Sequence, residues 1–124
     1  MKKSIISSLV IVFLVGLLFP SVGNTIDPFA NKYLIKGKNF FTNENYKKAF
    51  WYFYVSSSID RDEPLPWYFL GVTLYELKDY KNSYSSLSWA KYNHIDKIYL
   101  HSLNRMMTKC KNNIRSIIVK NSIE

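Results

Sequence analysis

The chain has 124 residues, a formal net charge of +8 and 48% hydrophobic residues, which suits one small domain rather than two. Aromatic residues make up 17%, too many for a disordered tail, and charged residues only 21%, too few for a polybasic nucleic-acid arm. One cysteine excludes a disulfide framework and a multi-thiolate zinc site, and two histidines leave little for a conventional metal centre.

The first predicted element is a targeting segment. Lys2 and Lys3 precede an apolar run from Ile5 to Phe19, broken only by Ser7, Ser8 and Gly16; Pro20 ends it, and Ser21-Val22-Gly23 offers small residues to a signal peptidase. Residues 1–23 therefore read as a cleaved secretory signal, so the protein is expected to be exported and to work in the periplasm or as a secreted chain. The alternative is an uncleaved anchor, with residues 4–20 in the inner membrane and the positive end in the cytoplasm. The run falls short of the roughly 20 apolar residues that a span wants, and this favours cleavage. No cysteine follows the small residues, so the lipoprotein route is excluded.

Cleavage removes Lys2 and Lys3 and no acid, which leaves a net charge of +6. A positive exported surface suits acidic partners, anionic lipid or envelope polymers. Solubility alone is an equally good reading of it. Nucleic acid is not expected in that compartment, and a membrane is expected as a partner only if the N-terminal segment is kept.

After a short linker at 24–29, the chain repeats itself. Residues 30–63 lie over 64–97 at a register of 34 with no gap. Tyr33 falls on Trp67, Gly37 on Gly71, Phe40 on Leu74 and Phe41 on Tyr75. Tyr46 falls on Tyr80, Ala49 on Ser83, Phe53 on Leu87 and Ser56 on Ala90.

Each copy reads as two helices. Trp67, Leu70, Gly71 and Leu74 form one stripe at helical spacing, and Tyr80, Ser83, Tyr84, Leu87 and Ala90 form a second after a polar break at Lys78-Asp79. In the first copy the break is Thr42 to Asn45. Asp27-Pro28 and Asp62-Glu63-Pro64 are expected helix starts, each an acid ahead of a proline. Gly37 and Gly71 are placed where a second helix crosses closely, with large residues filling the space around them.

Residues 98–124 are expected to form a capping helix and tail. Asp96 can cap it, and Tyr99, Leu103, Met106, Cys110, Ile114 and Ile117 recur on one side with Arg105, Lys109, Lys111 and Arg115 mostly on the other. Such a helix keeps a short stack soluble. Two repeats and a cap are near the lower limit for an independent array, so self-association is a possible outcome.

Catalysis finds little support. Asp60, Asp62 and Glu63 form the one acidic cluster and sit at a helix start, where they complement the helix dipole. His94 and His101 lack a third ligand. Cys110 reads as a buried small hydrophobe, with pairing to another chain as the alternative. No glycine-rich phosphate loop or serine-nucleophile elbow occurs. The chain is therefore expected not to be an enzyme and to need no cofactor.

The segment Trp67-Tyr68-Phe69-Leu70-Gly71, with Leu74-Tyr75 and then Ser83, Leu87 and Ala90, resembles a tetratricopeptide repeat. Leu74 stands where that family usually has Tyr, Ser83 where it has Ala, and Ile95 where it has a closing Pro. The first copy is weaker, with Tyr33 for Trp and Lys36 for Leu, though Gly37, Ala49 and Phe53 match. The resemblance covers residues 30–97. It implies an all-α solenoid of two helix-turn-helix repeats and a C-terminal capping helix.

It also implies a concave groove lined by the first helix of each pair. The groove positions carry over to Asn31, Leu34, Lys38 and Phe41, then Leu65, Tyr68, Val72 and Tyr75, with Ser102 and Met106 from the end helix. The competing expectation is that the end helix covers much of this face itself. The clamp with which some members grip a C-terminal carboxylate is absent, since Leu34, Lys38, Phe69, Tyr99 and Leu103 occupy its positions. The expected function is non-catalytic protein–protein interaction. The chain would be an adaptor or assembly factor of the periplasm or cell envelope that captures an apolar or helical segment of another protein or peptide. The alternatives are a membrane-anchored subunit of an envelope complex and a basic envelope-polymer-binding protein.

Overall fold

The computed structural model describes residues 25–124; the targeting segment expected over residues 1–23 lies outside them. Five helices follow one another, with no strand among the described residues: α1 Pro28–Thr42, α2 Tyr46–Ile59, α3 Pro64–Glu76, α4 Tyr80–Tyr92 and α5 Lys97–Ile123. No helix among the described residues is long and apolar enough to cross a membrane.

The helix starts follow from local chemistry. Asp27 accepts from the N–H groups of Phe29 and Ala30 at 2.8 and 3.3 Å, with Pro28 in the first turn. Asn45 caps α2 through Lys48 N–H, Asp79 caps α4 through Asn82 N–H, and Asp96 caps α5 through Ile98 N–H. The start expected at Asp62-Glu63-Pro64 is in place, but Glu63 makes no side-chain capping bond. Asp60 instead closes the end of α2 and accepts from Asp27 N–H at 3.2 Å, which ties the two ends of the first hairpin together.

The helix ends are alike. Asn45 N–H reaches back to Phe40 C=O and Glu44 N–H to Phe41 C=O, both at 2.9 Å. At the same register Asp79 N–H reaches Leu74 C=O and Lys78 N–H reaches Tyr75 C=O, again at 2.9 Å. Ile95 and His94 close α4 in the same way on Ala90 and Lys91. This crossed pair of bonds needs a left-handed residue, usually glycine. Here Glu44, Lys78 and His94 take that role at φ 58°, 64° and 61°.

Short loops make successive helices antiparallel neighbours. α1 packs on α2 and α3 on α4 as hairpins, α2 packs on α3, and α5 closes the stack against α4. The architecture is all-α and solenoid-like. The two hairpins share one crossing device. A Cβ on Gly37 would lie 2.6 Å from Phe53 Cδ1, and a Cβ on Gly71 would lie 2.6 Å from Leu87 Cγ. Both large partners are fully buried. Two serines lock the crossings, Ser56 Oγ donating to Ala30 C=O and Ser83 Oγ to Gly71 C=O, each at 2.6 Å.

The core falls into two clusters. Leu34, Ala49, Phe53, Leu70 and Leu74 fill the first, and Leu87, Ala90, Ile95, Leu103 and Cys110 the second. Cys110 Sγ lies 3.3 Å from Ser83 Oγ, and burial pushes its thiol pKa up. The outer side of α5 carries Lys97, His101, Arg105 and Lys109, all exposed.

Candidate functional site

The residues expected on the first-helix face are not where the open surface lies. Leu34 is 2% exposed and belongs to the core. Leu65 and Phe41 pack against the first cluster, and Phe41 meets Tyr46 edge to face. Lys38 Nζ lies 4.7 Å above the Phe69 ring. Tyr68, Val72, Tyr75 and Met106 pack against the cluster that holds Leu103 and Cys110 of α5. The Tyr68 ring sits 5.1 Å from that of Tyr99; burial raises its hydroxyl pKa, and a hydrogen bond with Ser102 partly offsets the rise. The physical reason is the end helix: at this end of the face, α5 occupies the space that a ligand would need.

A wide opening lies on the other side of α3. Trp67, Leu70, Leu74 and Leu77 recur at spacings of three and four, so they share one stripe. That stripe faces nearly opposite to Leu65, Tyr68, Val72 and Tyr75 on a helix turning 100° per residue. It floors a groove of about 750 Å³. One wall is Phe50 and Tyr54 of α2; the other is Asn82, Ser85, Ser86 and Trp89 of α4. Arg61 borders the groove near the start of α3, and Asp79 borders it just past the end.

The walls are held in shape. Trp67 and Trp89 both donate their indole N–H to Arg61 C=O at 2.9 Å, so one carbonyl in the α2–α3 loop orients two large rings from different helices. Those rings meet edge to face at 6.1 Å, and Tyr92 stacks on Trp89 at 5.8 Å. On the facing wall Phe50 stacks on Tyr54 at 6.0 Å, and Trp51 meets both edge to face. Tyr54 and Trp89, which line the groove, are 49% and 38% exposed, and Trp51 beside them is 63% exposed. The indole bonds leave Trp67 and Trp89 no free donor, so the groove offers ring surface rather than hydrogen bonds at those places.

Sequence reasoning missed Phe50, Tyr54, Leu77 and Trp89 as site residues, although one signal could have found them. Phe50-Trp51-Tyr52-Phe53-Tyr54 are consecutive, and five residues at 100° each go all the way round a helix. They cannot all face one core; only Phe53 does so fully.

The groove carries two charged side chains. These groups, Arg61 and Asp79, stand at opposite ends of α3, and Asp79 accepts from Asn82 Nδ2 at 2.8 Å. No group of three His, Cys, Asp or Glu among the described residues is placed to hold a metal. No protein-family model, curated protein or solved structure matches this chain.

Proposed function

We propose that this chain is a non-catalytic, tetratricopeptide-like binding module, an adaptor or assembly factor that captures an apolar segment of another protein. The occupied surface is the groove between α2 and α4 rather than the first-helix face. The observation that carries this reading is the open apolar channel bordered by Tyr54 and Trp89, whose walls are pre-shaped by the shared Arg61 carbonyl. Ordered aromatic rings lose little freedom on binding and supply large contact areas. The tetratricopeptide reading is supported by the repetition, at a register of 34, of turn bonds, glycine crossings and helix caps.

The channel runs along α3, which has 13 residues and is therefore about 20 Å long. That length fits an amphipathic helix of three to four turns with anchors at i, i+3, i+4 and i+7. Asp79 at one end and Arg61 at the other complement the dipole of a helix that runs antiparallel to α3. The Lys2-Lys3 start, the apolar run and the small residues at 21–23 support export to the periplasm or cell envelope. The mass of the chain recovered from its host tests that.

Binding is tested by nuclear magnetic resonance. The chain has three tryptophans and therefore three indole N–H resonances. Peptides selected on the purified protein should shift the Trp67 and Trp89 indole signals while the amides of Tyr68 and Val72 stay in place. Shifts confined to Tyr68, Val72 and Tyr75 would put the ligand on the first-helix face and overturn the assignment.

A further inference from the structure

We propose that the C-terminal end of α5 is a membrane-surface probe that dips into anionic lipid. The inference is separate from the groove between α2 and α4. It rests on charge, exposure and helical geometry in one segment.

The charge is one-sided. α5 carries Lys97, Arg105, Lys109, Lys111, Arg115 and Lys120 and has no Asp or Glu from Lys97 to Ile123. Of the nine acids, Asp27, Asp79 and Asp96 act as caps, Asp60 closes α2, Glu44 and Asp62 lie in loops, Glu63 precedes α3, Glu76 ends it, and Glu124 follows Ile123. The charged residues within α1, α2, α4 and α5 are therefore all cations, and α5 carries the most.

The apolar residues at its tip are only partly covered by the described residues. α5 runs beside α4, with Cys110 against Ser83, and passes the start of α4 at a shallow cleft lined by Ile114, Ile117 and Ile118 with Tyr80 and Lys81. Even there Ile118 is 60% exposed, Val119 and Ile123 are 57 and 79% exposed, and every residue from Arg115 onward is exposed.

The geometry selects lipid over a protein groove. Ile117, Ile118 and Val119 are consecutive, so at 100° per residue they span about 200° of the helix circumference. A groove or a partner helix buries one face, and two of these tips side by side would set Arg115 and Lys120 against their own copies. A fluid interface closes around a helix end from all sides. Arg115 and Lys120 are long enough to stay among the phosphates while the isoleucines and Val119 enter the acyl boundary. Basic residues near an anionic surface strengthen partitioning roughly fivefold each.

The test uses the full chain with Ile123→Cys labelled by a polarity-sensitive dye; Cys110 is buried, so native-state labelling falls on the new thiol. A second labelled chain carries Lys47→Cys, at the other end of the stack. Vesicles are phosphatidylcholine alone or 3:1 phosphatidylcholine to phosphatidylglycerol. The expected result is a blue shift at position 123 with the anionic vesicles only, reversed by high salt, with no shift at position 47. Ile117→Gln with Ile118→Gln should weaken the partitioning at least tenfold, and so should Arg115→Gln with Lys120→Gln. Gln keeps the helix, and circular dichroism checks this. The proposal is overturned by no shift, by an equal shift on neutral vesicles, or by a shift that survives both double variants. It is also overturned if the dye shifts with protein concentration in the absence of lipid, which would mean that a second copy covers the tip.

Discussion

Gly71→Ala isolates the helix crossing that sets the spacing of the second hairpin. In an open helix the change should stabilise by roughly 1 kcal/mol, because alanine is the better helix former. Here the new Cβ would lie 2.6 and 2.8 Å from Leu87 Cγ and Cδ2, and 3.2 Å from Leu87 backbone nitrogen. The side-chain atoms cannot swing aside, since Leu87 is fully buried among Ala90, Leu103 and Cys110. The backbone contact means that α3 and α4 must separate. Overpacking of this kind costs about 1–3 kcal/mol, so a net loss of up to about 2 kcal/mol is expected after the propensity gain. For a domain of this size that lowers Tm by up to about 15 °C. Urea unfolding followed by circular dichroism measures the free energy directly. Leu87→Ala alone should cost about 2–5 kcal/mol, but it removes the clashing side-chain atoms and leaves only the 3.2 Å backbone contact. In that background the backbone contact and the propensity gain should roughly cancel, so Gly71→Ala should be close to neutral, a coupling of up to about 2 kcal/mol. A gain in stability on Gly71→Ala in the wild-type background would refute the close crossing.

Other consequences follow from particular residues. Lys78→Gly and Glu44→Gly should each stabilise by about 0.5–1 kcal/mol, because both residues hold left-handed conformations that glycine adopts without strain; thermal unfolding of each variant checks this, and a loss would deny the turn geometry. Burial raises the pKa of Glu63, and the Asp60 carboxylate adds to the rise. A raised carboxyl pKa means that the folded state binds its proton more readily than the unfolded state. The stability Glu63 contributes is thus present in acid and lost as pH rises through the folded pKa. Glu63→Gln should accordingly raise the urea midpoint at neutral pH, and the advantage should shrink towards pH ~4. An advantage independent of pH would place the effect elsewhere.

Much of the fold was legible in the sequence. The 34-residue register carries its own geometry, since a glycine in the first helix and a large residue sixteen positions later meet in both copies. Capping chemistry was equally plain at Asp27-Pro28 and Asp96. Glu63 shows the limit: an acid ahead of a proline marks a helix start, but whether its carboxylate bonds the backbone depends on the loop that delivers it.

The groove was harder to read. Placing ligand contacts on the first-helix face assumes that this face stays open, and here α5 packs over its second half, around Tyr68 and Val72. For α2 the obstacle was the aromatic run itself. Periodicity assigns a face only when polar residues mark the other one, and Phe50 to Tyr54 offer no such contrast. Trp89 lay in the same kind of ambiguity, flanked by Ser88 and Ala90 on a helix whose large residues Tyr80, Tyr84, Leu87 and Tyr92 mark no single face.

The most direct test of the central claim is site-specific photocrosslinking in the native host. A photoreactive amino acid replaces Tyr54 or Trp89 on the groove walls, and Tyr68 in a parallel strain. The expected result is one discrete partner, crosslinked from positions 54 and 89 through an apolar helical segment, and no adduct from position 68. Crosslinks from position 68 with none from 54 or 89 would contradict it and return the binding site to the first-helix face.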